Sequence, residues 1–132
     1  MTTTIGCTSR PYGGLEYAEA YARIAAAGYT DVAVFGNAGQ VPVRADSTAA
    51  QVAAVRTAAA AAGVRPSMLI GGTQLDSGLE TATSQYRRLI DNAASLGVRW
   101  LLDCGTDRHE HFDAYYELMR RAAPHAAAAG VS

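Results

Sequence analysis

Charge is scarce in this chain. Only 17% of its 132 residues are Asp, Glu, Lys or Arg, and they leave a formal net charge of −1. A nucleic-acid-binding domain normally carries a basic face, and runs of like charge mark interaction tails. Neither is present, so no nucleic acid and no membrane is expected as a partner. The two cysteines, Cys7 and Cys104, are too few for a disulfide framework. A nucleophilic thiol needs a neighbouring base. None stands near either one, so both are expected to be buried and inert. No apolar run reaches the ~18 residues that span a bilayer. Arg56, Arg65 and Arg99 interrupt or bound the long alanine runs. The N-terminal residues show neither a basic n-region nor an apolar h-region, so no signal peptide is expected. These absences together lead us to expect a soluble cytoplasmic protein. No G-x-G-x-x-G stands between a strand and a helix, and no lysine follows Gly71-Gly72 as in a phosphate loop, so a nucleotide fold is unsupported.

What is present is apolar: 49% of the residues are hydrophobic, enough for a core in a chain of this length. The pattern repeats. A small-residue helix end followed by glycine occurs at Ala25-Ala26-Ala27-Gly28, Ala60-Ala61-Ala62-Gly63, Ala94-Ser95-Leu96-Gly97 and Ala127-Ala128-Ala129-Gly130. The glycines lie 35, 34 and 33 residues apart. Glycine is the usual residue just past a helix, because it takes a positive φ without steric cost.

Strand-like runs follow the first three glycines, at Asp31–Phe35, Pro66–Ile70 and Trp100–Cys104, and another opens the chain at Thr3–Cys7. They are apolar without clean alternation, as strands covered by helices are. Helical stretches lie between them. Leu15, Ala18, Ala22 and Ala25 mark the face of the first, and Asp46-Ser47-Thr48 caps a second that runs to about Ala62. A third spans about 79–96, with Tyr86, Leu89, Ile90 and Ala93 as its stripe. A fourth spans about 112–129, with Tyr115, Leu118, Met119 and Ala122, and Pro124 is expected to kink or break it. The order is β-α-β-α-β-α-β-α with a uniform period. This predicts a single α/β domain over residues 1–132 of four parallel βα units; a doubly wound sheet is one closure, and the uniform period favours the other, half of a (β/α)₈ barrel.

Several segments resemble the sugar phosphate isomerase/epimerase family of xylose-isomerase-like barrels. Ala25–Val34 is similar to that family's second strand and its approach. Ile90–Arg99 is similar to its third helix and fourth strand, and Tyr115–Val131 to its fourth helix and the start of strand five. The resemblance implies the N-terminal half of a (β/α)₈ barrel that stops where the fifth strand begins. It also implies a divalent-metal enzyme (Mn, Mg, Co or Zn) that isomerises or epimerises a small sugar or polyol. In that family the metal ligands come mainly from strands five to eight, so no metal site is expected in this chain alone. Many relatives carry glutamate where this chain has Ala33, which removes one expected sugar contact. The related endonuclease branch places histidines at the ends of strands three and four. Those ends here read Ile70-Gly71-Gly72 and Asp103-Cys104-Gly105.

Barrel active sites lie at the C-terminal ends of the strands. That rule selects the loops 7–14, 35–40, 71–76 and 103–111. Arg10 and Tyr12 are candidates to hold a phosphate or a sugar ring, and Phe35 to wall a sugar pocket. Asp103, Asp107, His109 and Glu110 are candidates for a metal or sugar; otherwise Asp107 or a neighbour caps the fourth helix. The substrate-binding set is Arg10, Tyr12, Phe35, Asp103 and His109, with no catalytic residue assigned. His125 is expected on the surface or at an interface. Strands one and four are expected to be open edges, through which two copies close a barrel as a homodimer. The alternative is a self-sufficient four-unit α/β domain that binds a small molecule or partner without catalysis.

Overall fold

The computed structural model describes residues 4–36 and 41–132. Thr3 of the expected first strand and residues 37–40 of the second loop lie outside the described residues. Four strands, β1 (Cys7–Thr8), β2 (Asp31–Val34), β3 (Arg65–Gly71) and β4 (Trp100–Asp103), alternate with four helices, α1 (Tyr17–Ala26), α2 (Ala49–Ala62), α3 (Leu79–Leu96) and α4 (Phe112–Ala129). Every strand pair is parallel, and the order across the sheet is β1-β2-β3-β4.

That order decides the architecture. Parallel crossovers are right-handed, so strands laid down in sequence all send their connecting helices to the same face. A doubly wound sheet reverses its order to cover both faces; this one does not. The buried cluster accordingly lies between sheet and helices. Val32, Val34 and Leu69 meet Tyr21, Ile24, Val52, Val55, Leu89, Ile90, Ala93 and Leu118 there. The other face is bare, with Trp100 and Leu102 of β4 49% and 44% exposed. The accessible surface of 7574 Å² exceeds the roughly 6,600 Å² of a closed monomer of this mass.

The four repeat glycines follow the helices with φ of +91° (Gly28), +80° (Gly63), +87° (Gly97) and +72° (Gly130), a region that only glycine enters freely. Thr48 caps α2 through a reciprocal pair: its hydroxyl accepts from the Gln51 amide, and Gln51 Oε1 accepts from the Thr48 amide. At the base of the sheet, Asp31 is buried. Its Oδ1 accepts from Arg65 Nε and Nη2 at 3.0 and 2.7 Å, and its Oδ2 from the Thr30 hydroxyl at 2.9 Å.

Four local expectations are corrected. Paired β1 is displaced to Cys7–Thr8, and its ladder continues through Ser9 N to the Ala33 carbonyl at 3.1 Å. The buried face of α1 is Ala20, Tyr21 and Ile24, while Ala18 and Ala22 are exposed. Tyrosine and isoleucine bury far more apolar area than alanine, and they set the helix rotation. Pro124 does not break α4, which continues to Ala129 with Ala122, Ala126 and Ala129 packed on the core. Pro66 is the second residue of β3, where the register with β2 shifts between Val32 and Ala33. Proline has no N–H to donate, and such residues sit at bulges.

At the far side of β4, Ser132 N donates to the Arg99 carbonyl at 2.8 Å, and Leu101 N donates to the Ser132 carbonyl at 3.0 Å. This is a parallel-strand pattern.

Arg65 first, then Thr30, holds the Asp31 carboxyl below the usual carboxylate range against the opposing effect of burial. The stabilisation is complete above the ordinary carboxylate pKa of about 3.9 and is lost as pH falls through the lower folded-state value. Asp31→Asn is expected to lower stability by about 1–3 kcal/mol at pH 7. Urea unfolding of both proteins from pH 7 to pH 2 is expected to show this gap closing only in the acid range. A gap that is absent at pH 7 refutes the assignment.

Candidate functional site

The C-terminal ends of the strands gather four connections. After β1 the chain makes a tight turn over Arg10–Tyr12, with Pro11 inside it. Ser9, at its start, is fully buried. Its hydroxyl accepts from Phe35 N at 3.0 Å and donates to the Phe35 carbonyl at 3.2 Å. One side chain thus continues the β1–β2 pairing beyond the strands and fixes both connections. With that staple in place, the Arg10 guanidinium carbon lies 5.5 Å from the centroid of the Phe35 ring, within cation–π range. Arg10 is exposed and Phe35 half-buried. Tyr12 is half-buried and packs against the core.

Two of the five candidate residues, Arg10 and Phe35, are therefore in contact, and Tyr12 belongs to the same turn as Arg10. Asp103 and His109 belong to other surroundings. Along β4, Trp100 and Leu102 point to the bare face while Leu101 and Asp103 point to the helices, as the period of two requires. Asp103 Oδ1 accepts from Gly105 N at 2.7 Å and from the Tyr115 hydroxyl at 3.3 Å. Its Oδ2 is buried with no hydrogen-bond partner among the described residues. Burial raises the Asp103 pKa, against the lowering effect of the Gly105 and Tyr115 hydrogen bonds. Tyr115 is pushed up to about 12, by burial first and by the Asp103 charge second, and Tyr86 rises for the same two reasons. His109 is exposed, with its ring 4.8 Å from that of Phe112.

The connections after β3 and β4 are tied together by Arg108, which pairs with Asp76 and, at 2.8 Å, with Glu110. Glu110 is thus held by a guanidinium, and Asp107 lines a shallow crevice with Asp76, Arg108 and His111. Neither Asp107 nor a neighbouring side chain caps α4. A short 3₁₀ turn, His109–His111, leads into it, and His111 makes no side-chain cap. Cys104 is exposed in the connection after β4, and Cys7 is half-buried, paired with Val32 and packed against the core, so full burial of these thiols is corrected. His125 is on the surface of α4 with its Nε2 2.7 Å from Asp91 Oδ1. Among the described residues, no group of three or more His, Cys, Asp or Glu side chains is placed to hold a metal ion. Asp103 is turned away and committed to Gly105 and Tyr115, so these strand ends do not fit a metal centre.

Sequence reasoning missed Ser9. Its only signal was a hydroxyl residue directly after a strand, which Thr8 shares. Ser9→Ala leaves the Phe35 N–H buried without its acceptor and is expected to lower stability by about 1–3 kcal/mol, with faster hydrogen exchange at the Phe35 amide. Unchanged exchange there overturns the staple. Asp103 works in the opposite sense to Asp31. Its raised pKa means that ionisation opposes folding, so this site gains stability as pH falls through the folded value. The difference in urea midpoint between Asp103→Asn and the parent is expected to favour the variant at pH 7 and to shrink toward pH 4. A difference that does not vary with pH refutes this.

No protein-family model matches the chain, and no curated protein matches it in sequence. Solved structures do match. A sugar phosphate isomerase/epimerase from Parabacteroides distasonis superposes with a TM-score of 0.74 at 20% identity, covering 99% of this chain and 50% of that one. A xylose isomerase-like TIM barrel protein from Mycobacterium smegmatis, in complex with magnesium, gives 0.73 at 16% identity over 99% and 54%. A D-psicose 3-epimerase, determined in the presence of D-fructose, gives 0.71 at 14% identity over 98% and 50%. The chain spans about half the length of these proteins, and its fold is that of one half of a (β/α)₈ barrel.

Proposed function

We propose that this chain supplies the substrate side of a sugar or polyol isomerase/epimerase site and needs a second half-barrel to complete it. The observation that carries the reading is the one-sided, sequentially ordered sheet, which superposes on half of barrels described as sugar isomerases and epimerases. Arg10 and Phe35 stand together at the strand ends, where barrel enzymes bind their substrates. The Phe35 ring offers an apolar wall to a sugar face, and the Arg10 guanidinium offers donors to hydroxyl or phosphate oxygens. Tyr12 supports their turn, and His109 lies on the β4 side of the mouth. Asp103 acts indirectly, by holding the 104–106 backbone.

A divalent metal would polarise a carbonyl and hydroxyl pair for proton transfer. The described residues do not form its site, so no step is assigned to it here. Among the described residues no helix is long and apolar enough to cross a membrane. We place the protein in the cytoplasm, where its two unpaired thiols stay reduced.

Closure by a second copy is supported by the two flanks of the sheet, where among the described residues β1 has no outer neighbour and β4 bonds only to Ser132. β1 is an edge, and β4 accepts a parallel neighbour, since Ser132 already bonds to it. Exposed strand edges of this kind pair readily. Light scattering on the purified chain is expected to give a dimer. Titration with D-fructose is then expected to shift the resonances of Arg10 and Phe35, and Phe35→Ala to abolish those shifts. A stable monomer refutes dimeric closure and favours a self-sufficient binding domain. A dimer that shows no sugar response at Arg10 and Phe35 refutes the substrate-side assignment.

A further inference from the structure

The two flanks of α4 differ in character. Toward α3 the helix is polar: Arg121 pairs with Glu80, and His125 Nε2 lies 2.7 Å from Asp91 Oδ1. Toward the core it presents Leu118 and Ala122, both buried. At 100° per residue, Phe112, Tyr116, Met119, Ala123 and Ala127 form one stripe on the side opposite Arg121 and His125. The stripe carries no charge, and its spacing of 4, 3, 4 and 4 residues is that of a helix face that packs. Yet it is open. Phe112, Tyr116, Ala123 and Ala127 are exposed, Tyr116 at 70%, and Met119 is half-buried. Among the described residues, α3 is the helix that α4 packs against. Exposed aromatic side chains without charge among them are characteristic of the centre of a protein interface.

The layer itself shows what fits there. Each helix packs against the next, α1 on α2, α2 on α3 and α3 on α4. The stripe is therefore the place of the next helix in the ring, on the outer side of β4. A right-handed crossover puts the helix of a parallel neighbour of β4 on the same face of the sheet as α4. A second copy whose β1 lies on the β4 side thus brings its own α1 to the stripe, while its sheet covers Trp100 and Leu102. The area agrees. The surface in excess of a closed monomer is roughly 1,000 Å², against the ~800 Å² that each partner buries in a standard interface.

We propose that the apolar stripe of α4 is the docking surface for a second copy of this chain, occupied by that copy's α1. The inference rests on the barrel closure proposed above and adds the helix layer to it. Phe112 and Tyr116 hold the copies together, and the strand edges set their register.

The test follows the mass of the purified chain by light scattering over a concentration series, together with the emission of Trp100, its single tryptophan. The parent is expected to dimerise, with Trp100 emission shifting to the blue as it does. Tyr116→Glu is expected to weaken the dimer about thirtyfold or more, the scale of a central interface aromatic, and to remove the blue shift at the same concentrations. Ala123→Glu is expected to act in the same direction, since it places a charge in an apolar seam. Thr57→Glu, on the exposed side of α2, is expected to change neither reading. Urea unfolding checks that each variant is folded. A parent dimer that both α4 glutamates leave intact overturns this docking surface and leaves closure through the strands standing. A dimer broken by Tyr116→Glu in which Trp100 emission never moves with assembly also overturns it, because the copies then meet without closing the barrel. A monomeric parent refutes barrel closure itself, and the docking surface with it.

Discussion

A right-handed crossover between parallel strands allows the connecting helix only one side of the sheet, and which side depends on the direction in which the next strand is added. In this chain each strand is added to the same edge as the one before, in the order β1-β2-β3-β4. All four helices therefore share a face, and the buried cluster forms entirely between them and the sheet. The same constraint leaves the opposite face with Trp100 and Leu102 uncovered. It also gathers every strand's C-terminal connection at one end. Half-barrel shape, exposed apolar face and location of the mouth are three consequences of one handedness rule.

The mouth shows how a site is assembled from short-range geometry. Ser9 continues the pairing of β1 with β2 by a side chain instead of a backbone amide. That places the turn carrying Arg10 above Phe35. On β4 the alternation of side chains decides in the other direction. Asp103 shares a face with Leu101, so it enters the helix layer beside Tyr86 and Tyr115. Two acidic groups thus take opposite characters. Asp31 is charged and ion-paired at the base, whereas Asp103 is partly desolvated at the top and resists ionisation.

Much of the fold was legible in the chain. Alanine-rich segments ending in glycine at a regular interval announced the four helices, and the glycines take the expected positive φ. The stripe Tyr86, Leu89, Ile90 and Ala93 is buried on α3 as its spacing indicated. Where the reading failed, competing interactions of similar size were involved. On α1 the alanines at 18 and 22 had helical spacing but little area to bury, and Tyr21 and Ile24 turned the helix. On α4 the loss of one hydrogen bond at Pro124 is outweighed by packing on either side. The site was less legible. Arg10 and Phe35 were recognisable as candidates because they follow strands, but their contact depends on Ser9, which looks no different from Thr8 in sequence.

The sequence by itself determined the number, type and order of the elements, because helix periodicity, glycine termination and strand composition act within about ten residues. It also made a parallel sheet necessary, since βα alternation leaves no short connection for antiparallel pairing. Only the tertiary structure decided which strand lies beside which and which way Asp103 points. Those outcomes rest on register and packing between segments about 30 or more residues apart in the chain. There a shift of one residue exchanges the two faces of a strand.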